Sequence, residues 1–179
     1  MQIVDATLGP IILARLEPHA DILDSVYEIA RSRRLTAGIV LDITGSLEHA
    51  TLQRYAEGTG VDGAVSVVNI DGPMEASGHG MIGVVDAPGH PDERFGKAGY
   101  RHGEPYMHVH LTVTTPTQTI VGHAMRGCRV RSHGPITHFT IAIAPIPDAA
   151  LRHTMDFGPD GAYRGVYHML ESLRRPTAD

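Results

Sequence analysis

The chain has 179 residues, of which 42% are hydrophobic and 20% charged, with a formal net charge of −5. This length and balance indicate one globular domain with a sizeable core. They argue against a strongly basic nucleic-acid-binding protein, and no apolar run approaches the length of a membrane-spanning helix.

The N-terminal sequence MQIVDATLGPIILARLEP lacks a basic region followed by an uninterrupted apolar segment, so we expect no signal peptide. Cys128 is the only cysteine, which excludes an intrachain disulfide and favours a cytoplasmic location. Short basic runs at residues 31–34 and 174–175 are typical of solvated helix ends. Basic and aromatic residues do not alternate as in base-stacking proteins, so nucleic acid is not an expected partner.

The first third of the chain predicts a helix followed by strands. Apolar residues recur at helical spacing over residues 18–34, and basic residues close that segment. Residues 36–46 alternate apolar and polar side chains, which predicts a strand. Residues 47–60 fit either a short helix or another strand.

Glycine and proline interrupt the next predicted strands. Residues 64–70 are rich in β-branched side chains and predict a strand, and Asp-Gly-Pro at 71–73 indicates a turn. Residues 74–86 predict a strand whose glycines indicate a bulge or the close approach of another backbone. Residues 86–105 combine Gly, Pro, His and charge without periodicity, which predicts a long surface loop.

Further strands are predicted at residues 106–115, 119–131 and 136–144, and a short helix at residues 165–175. The succession of helix, many strands and helix predicts an α/β (α+β) fold. Its simplest form is a single mixed, mostly antiparallel β-sheet with packed helices.

Three histidines lie in the segment YMHVHLTVTTPTQTIVGHAM. His108 and His110 are two residues apart and therefore share one face of a strand. If residues 116–119 form a four-residue hairpin loop, Thr112 lies opposite His123, and all three histidines share that face. A register shift of one residue would move His123 to the other face.

Three convergent imidazoles suit a divalent transition metal ion. Zn²⁺ fits best, with Fe²⁺ or another first-row ion as alternatives. Three protein ligands leave one coordination position for water or a substrate, as in catalytic zinc sites. Gly122 would leave room for an ion or a ligand beside the backbone. We therefore predict one such ion per chain, held by His108, His110 and His123.

The segment MHVHLTVTTPTQTIVGHAMRGCRV resembles the histidine-containing hairpin of the plants and prokaryotes conserved (PPC) domain, which has an HxH strand, a short turn and a Gly-Gly-His. LARLEPHADILDSVYEIARSRRL, AGIVLDITGSLEHATLQRY and MEASGHGMIG resemble the family's opening strand and helix, its strand ending in Gly-Ser and its Glu-containing strand. The resemblance covers about residues 11–146 and departs from the family at Val121, where a second glycine is usual.

This resemblance implies a sandwich-like α/β fold with a mostly antiparallel sheet, and a homotrimer. Some prokaryotic members hold a metal ion on three histidines, which correspond here to His108, His110 and His123. The chain has no AT-hook, the Arg-Gly-Arg-Pro segment that plant members insert into the minor groove. A DNA-binding function would therefore rest on the family resemblance alone and not on a DNA-binding segment of this chain.

The resemblance also suggests how the chain is divided. Residues 1–146 are expected to form a PPC-like domain with the loop 86–105 inserted. Residues 147–179 are expected to form a C-terminal extension with a short helix.

Three further residues are candidates for the site. Glu75 is the candidate acid–base residue or hydrogen-bond acceptor for a ligand, because metal-bound imidazoles donate their second N–H to a carboxylate or carbonyl. Arg15 is a candidate to bind a substrate carboxylate, and Tyr106 to line the pocket from the histidine face. Three histidines on or beside the long loop are expected to be exposed or to make local hydrogen bonds, with a proton donor or a fourth ligand among them as the alternative: His79, His90 and His102.

Three functional hypotheses follow. The first is a metal-binding protein that acts on or senses a small, carboxylate-bearing molecule. If it is an enzyme, metal-dependent lyase or hydrolase chemistry fits best, because the ion would polarise a carbonyl or lower the pKa of a bound water to about 7. The alternative is a DNA-associated regulatory protein of the PPC class, whose trimer presents Arg31, Arg33 and Arg34. The third is a scaffold whose ion only stabilises the fold.

Overall fold

The structure of the protein is a computed structural model that describes residues 1–56, 64–88, 100–131, 138–157 and 163–174. In these residues one helix, α1 (Ile22–Arg33), lies between the first two strands. The strands are β1 (Ile12–Arg15), β2 (Gly38–Tyr55), β3 (Val65–Asp86), β4 (Pro105–Thr114), β5 (Thr119–Ala124), β6 (Arg129–Val130), β7 (Thr140–Pro145), β8 (Ala149–Phe157) and β9 (Tyr163–Ser172).

Helix α1 begins and ends at residues suited to capping. The Asp21 side chain accepts a hydrogen bond from the Asp24 N–H, which satisfies one of the free donors of the first turn. Arg34 takes a left-handed conformation and its N–H bonds to the carbonyls of Ala30 and Arg31, which ends the helix. The helix predicted at residues 18–34 is therefore confirmed, with its first turn displaced to follow the cap.

Two long strands organise the sheet. β2 and β3 pair antiparallel along most of their length, so the part of residues 47–60 that is described continues β2. The turn predicted at residues 71–73 is wrong, because these residues lie inside β3. Leu47 pairs with Met74 and His49 with Asp71, so one residue of β2 faces two of β3. This bulge accommodates the proline, which has no N–H to donate to the ladder.

The nine strands form one sheet in the order β1-β7-β2-β5-β4-β3-β8-β9, with β6 paired to β2. Because β2 and β3 also pair with each other, β2, β5, β4 and β3 form a closed circuit. Among the described strands every pairing is antiparallel except β3 with β8. The predicted mixed, mostly antiparallel sheet is confirmed. The prediction of several packed helices is overstated, because α1 is the one helix in the described residues. That helix is too short to cross a membrane, and the described residues contain no other candidate.

The predicted strands on either side of the histidines are present with altered bounds. Residues 106–115 and the described part of 136–144 correspond to β4 and β7. Residues 119–131 divide into β5 and β6. At the base of the predicted loop, Val85 and the segment 103–104 exchange backbone hydrogen bonds of 2.9 Å. Residues 89–99 of that loop lie outside the described residues.

The C-terminal part of the chain adds two strands to the sheet. β8 lies beside β3, and β9 pairs antiparallel with β8. The helix predicted at residues 165–175 is therefore wrong. Short apolar segments fit the spacing of a helix as well as that of a strand. Here β8 supplies the backbone partners of a strand, which the local sequence does not reveal.

Candidate metal centre

Strand β4 divides its side chains between two faces. One face is buried in the main core and consists of Met107, Val109, Leu111 and Val113. The same core also contains apolar side chains of α1, β2, β3, β5 and β7. The alternate side chains point to the opposite face: Tyr106, His108, His110 and Thr112. The core-facing positions thus fix the orientation of both histidines.

The β4–β5 hairpin sets the position of the third histidine. Its turn comprises residues 115–118, and His110 lies directly opposite His123. The predicted register placed Thr112 there and is wrong by two residues. A shift of two preserves the face, so the prediction that the three histidines share one face is confirmed.

The three imidazoles converge. The ligand nitrogens of His108, His110 and His123 all lie within 4.8 Å of one another. The Nε2 atoms of His108 and His110 are 3.0 Å apart. The His123 ring is nearly perpendicular to both, with ring centroids 4.8 Å from His108 and 5.6 Å from His110. Within the described residues, no Asp, Glu or Cys joins this group.

The donor set fits zinc. Two Zn–N bonds of about 2.0–2.1 Å at a tetrahedral angle place their nitrogens about 3.3 Å apart. The separation of 3.0 Å between the Nε2 atoms of His108 and His110 is close to that spacing. Three neutral nitrogen ligands leave a position open for a further ligand.

Burial keeps the imidazoles of His108 and His123 in the form that binds metal. It lowers the pKa of His123 to about 4, and the neighbouring His108 and His110 contribute in the same direction. Burial, then His110 and His168, lower the pKa of His108. Both rings are therefore neutral at pH 7, as metal ligation requires.

Two histidines of the C-terminal strands extend the site. His153 and His168 are cross-strand partners in β8 and β9. The Tyr106 hydroxyl lies 2.9 Å from Nδ1 of His108 and 2.9 Å from Nε2 of His168. His153 stacks on the Tyr106 ring with centroids 3.9 Å apart, and in the described structure its buried Nδ1 has no hydrogen-bond partner. Neither histidine is among the site residues predicted from the sequence, because their grouping depends on the β8–β9 pairing.

A cavity of about 470 Å³ opens beside the three histidines. Gln53, which lies opposite His123, and Tyr55 contribute to its lining. Gly122 lines this cavity too, and it has a second role in the packing of the strands. A Cβ at Gly122 would lie 2.9 Å from the Leu52 Cβ and 3.0 Å from the Gln53 carbonyl, so the glycine lets β2 approach β5. The room on that side is filled by a strand, not by a ligand.

The structure does not bring Glu75 or Arg15 to the histidines. Glu75 is on β3, directly opposite Thr114 of β4. It accepts a hydrogen bond from the Ser46 hydroxyl and lines a separate cavity. Arg15 lies on the edge strand β1 and forms an ion pair with Glu17. Tyr106 does lie at the site, where it contacts His108.

His79 and His102 are both exposed, as expected, and His102 also makes a local hydrogen bond. His79 is exposed and lies opposite His110 on β3, outside the metal-binding group. The His102 side chain accepts a hydrogen bond from the Ala87 N–H. His90 lies outside the described residues.

The fold and the site together define an α+β protein with one mixed sheet and a three-histidine cluster on a β-hairpin. The family model of the Plants and Prokaryotes Conserved (PCC) domain matches residues 5–137. The chain therefore belongs to this family, also abbreviated PPC. No curated protein sequence matches the chain significantly.

Solved structures share the fold at low sequence identity. A metal-containing protein from Archaeoglobus fulgidus is similar with a TM-score of 0.65 and 14% identity, covering 93% of this chain and 99% of its own. A plant- and prokaryote-conserved protein from Pyrococcus horikoshii is similar with a TM-score of 0.63 and 16% identity, covering 91% of this chain and 95% of its own. A protein of Ralstonia eutropha JMP134, provisionally named as DNA-binding, is similar with a TM-score of 0.56 and 18% identity, covering 89% of this chain and 88% of its own.

Proposed function

We propose that the protein binds one divalent zinc ion through His108, His110 and His123 and uses it to bind a small, carboxylate-bearing molecule. The observation that carries this proposal is the convergence of three ligand nitrogens within 4.8 Å beside an open cavity. The structural similarity to a protein named as metal-containing supports it.

A carboxylate is the chemical group that suits this site. An ion held by three neutral imidazoles keeps its full double positive charge and therefore favours an anionic ligand. Gln53 offers an amide and Tyr55, which is 77% exposed, a phenol on the same strand two residues further. These groups can hydrogen-bond the rest of the molecule.

The site supports ligand binding and Lewis-acid activation. The ion would supply an electrophilic centre that polarises a carbonyl, the chemistry that a metal-dependent lyase or hydrolase uses. Glu75 lies in a different cavity, so an acid–base role for it would require a ligand that reaches from one cavity to the other.

A DNA-associated regulator is the alternative, supported by the provisional name of the Ralstonia protein. Arg31, Arg33 and Arg34 lie at the end of α1, where Arg31 pairs with Glu28 at 3.5 Å. DNA binding needs a dense basic surface and weakens steeply with salt. The net charge of −5 favours the small-molecule function.

Thermal unfolding of zinc-loaded and chelator-treated protein tests the choice. Succinate or citrate should raise the unfolding temperature of the zinc-loaded protein only, and the uncharged succinamide should not. Duplex DNA at about 150 mM salt, where surface charges are well screened, should show no binding by fluorescence anisotropy. Submicromolar, salt-tolerant DNA binding that survives His108→Ala would favour the regulator instead.

A further inference from the structure

A chain of hydrogen-bonding groups leads from the metal-binding face to the C-terminal strands. His110 Nε2 lies 3.0 Å from His108 Nε2, and His108 Nδ1 lies 2.9 Å from the Tyr106 hydroxyl. The hydroxyl lies 2.9 Å from His168 Nε2. Three imidazoles and one phenol are thus connected by three short contacts in series.

The hydroxyl is held firmly between its two partners. Tyr106 is only 4% exposed, so its O–H depends on protein groups for hydrogen bonding. Its ring is stacked on His153, and the Tyr100 ring packs edge-on against it with centroids 5.3 Å apart. These contacts on the ring fix the position of the hydroxyl relative to His108.

Only two proton arrangements satisfy every contact while the imidazoles are neutral. A neutral imidazole has one donor nitrogen and one acceptor, and a phenol has a single hydrogen to donate. In the first arrangement His110 donates from Nε2 to His108, His108 donates from Nδ1 to Tyr106, and Tyr106 donates to His168. In the second, His168 donates to Tyr106, Tyr106 donates to His108, and His108 donates from Nε2 to His110.

A metal ion on the Nε2 atoms of His108 and His110 replaces the hydrogen bond between them, and it allows only the first arrangement of the two Tyr106 contacts. The lone pair of His108 Nε2 must face the ion, so its proton moves to Nδ1. Tyr106 must then accept from His108 and donate to His168, whose Nε2 must be free of a proton.

We propose that Tyr106 and His168 are positioning residues of the metal site, which hold His108 in the tautomer and orientation that ligate through Nε2. This inference rests on the proposed metal-binding function. It gives the C-terminal strands a role in the site, because β9 supplies the terminal acceptor. Hydrogen-bond partners of this kind orient a ligand, and their loss costs about 10–100-fold in metal affinity.

Zinc affinity of variants of the full chain, measured by chelator competition, tests the role of the hydroxyl. Tyr106→Phe should weaken zinc binding about 10–100-fold. Tyr100→Phe is the matched control, because it removes a hydroxyl from the same aromatic group, one that donates to the Met107 carbonyl and not to a ligand. The control should bind zinc like the wild type. Circular dichroism and the unfolding temperature of the metal-free proteins verify that each variant folds.

Substitutions at His168 test the acceptor separately, in case Tyr106→Phe impairs folding. His168→Gln keeps an acceptor atom near the position of Nε2, and its zinc affinity should remain close to that of the wild type. His168→Ala removes the acceptor and should weaken binding. Equal affinities for the two variants would contradict the inference.

The tautomer itself can be read by NMR. In zinc-loaded protein with ¹⁵N-labelled histidine, long-range proton–nitrogen spectra should show both His108 and His168 protonated at Nδ1. A His168 protonated at Nε2 in the zinc-loaded protein would overturn the inference, whatever the affinities.

The results separate this inference from the function on which it rests. A wild-type protein that binds no zinc overturns both. A wild-type protein that binds zinc no more tightly than Tyr106→Phe overturns only the positioning role.

Discussion

His110 and His123 are direct cross-strand partners in the β4–β5 hairpin, with ring centroids 5.6 Å apart and planes at 87°. Directly opposite residues are the closest side-chain pair that two strands offer. His108 joins them from the next position on the same face of β4. An ion on these three residues would link the two strands of one hairpin.

Removal of zinc is therefore expected to destabilise the protein. A ligand that binds only the native state stabilises it by about 2.7 kcal/mol when its free concentration is a hundredfold above Kd. Chelation of zinc should lower the unfolding temperature of the wild type and leave that of His108→Ala unchanged. Scanning calorimetry measures both unfolding temperatures. An equal decrease in the wild type and in His108→Ala would contradict the proposed metal site.

Gly122→Ala should destabilise the fold and weaken zinc binding together. The new Cβ would meet Leu52 and the Gln53 carbonyl at 2.9 and 3.0 Å, so β2 or β5 must shift and carry His123 with it. Overpacking of this kind costs about 1–3 kcal/mol, which urea unfolding detects. Val121→Ala, at the exposed neighbouring position, is the control and should change stability by less than about 0.5 kcal/mol. Equal stability of the two variants would contradict the close approach of β2.

His153 should make stability depend on pH. Burial, followed by His168 and His108, lowers its pKa to about 4, whereas an unfolded histidine titrates near 6.5. The unfolded state thus takes up the proton first as pH falls. The stability gained from a neutral His153 is complete above pH 6.5 and is lost between about pH 6.5 and 4. At about 1.4 kcal/mol per pKa unit, the loss is on the order of 3 kcal/mol.

His153→Phe tests this dependence, because phenylalanine can stack on Tyr106 without titrating. In metal-free protein, the loss of urea stability between about pH 7.5 and pH 5 should be smaller in this variant than in the wild type. His79→Phe, at an exposed position, is the control and should keep the wild-type dependence. A variant at position 153 with unchanged pH dependence would contradict the burial of a neutral imidazole.

A homotrimer is the expected assembly. Within the described structure β1 pairs on one side only, with β7, and Leu13 on it is 73% exposed. Association is one way to cover such an edge. Light scattering should give about three times the chain mass of 19.3 kDa, and Leu13→Glu should lower that value. A monomer at micromolar concentration would contradict the trimer.

The local sequence was sufficient to predict the face shared by the three histidines. Val109, Leu111 and Val113 alternate with polar residues in β4, and only one orientation buries them. The Pro-containing segment after β4 indicated the turn. The exact partner of His123 could not be read, because a shift of two residues preserves the same buried pattern.

Other parts of the fold depend on partners distant in sequence. Residues 71–73 contain a turn sequence but lie within β3, because β2 pairs on both sides of the bulge. β9 becomes a strand beside β8, and only that pairing brings His168 to Tyr106. Gly122 was predicted to leave room for an ion or a ligand, but the space where its side chain would lie is occupied by β2.

The metal content of the purified protein tests the central proposal most directly. Protein expressed and purified without a histidine tag should carry about one transition metal ion per chain by elemental analysis, and zinc titration of the stripped protein should be saturable by calorimetry. His123→Ala should lose the ion while it remains folded. His79→Ala, which removes an exposed histidine outside the group, should keep it. Metal-free wild-type protein that releases no heat with zinc at neutral pH, or a His123→Ala variant with a full complement of metal, would contradict the account.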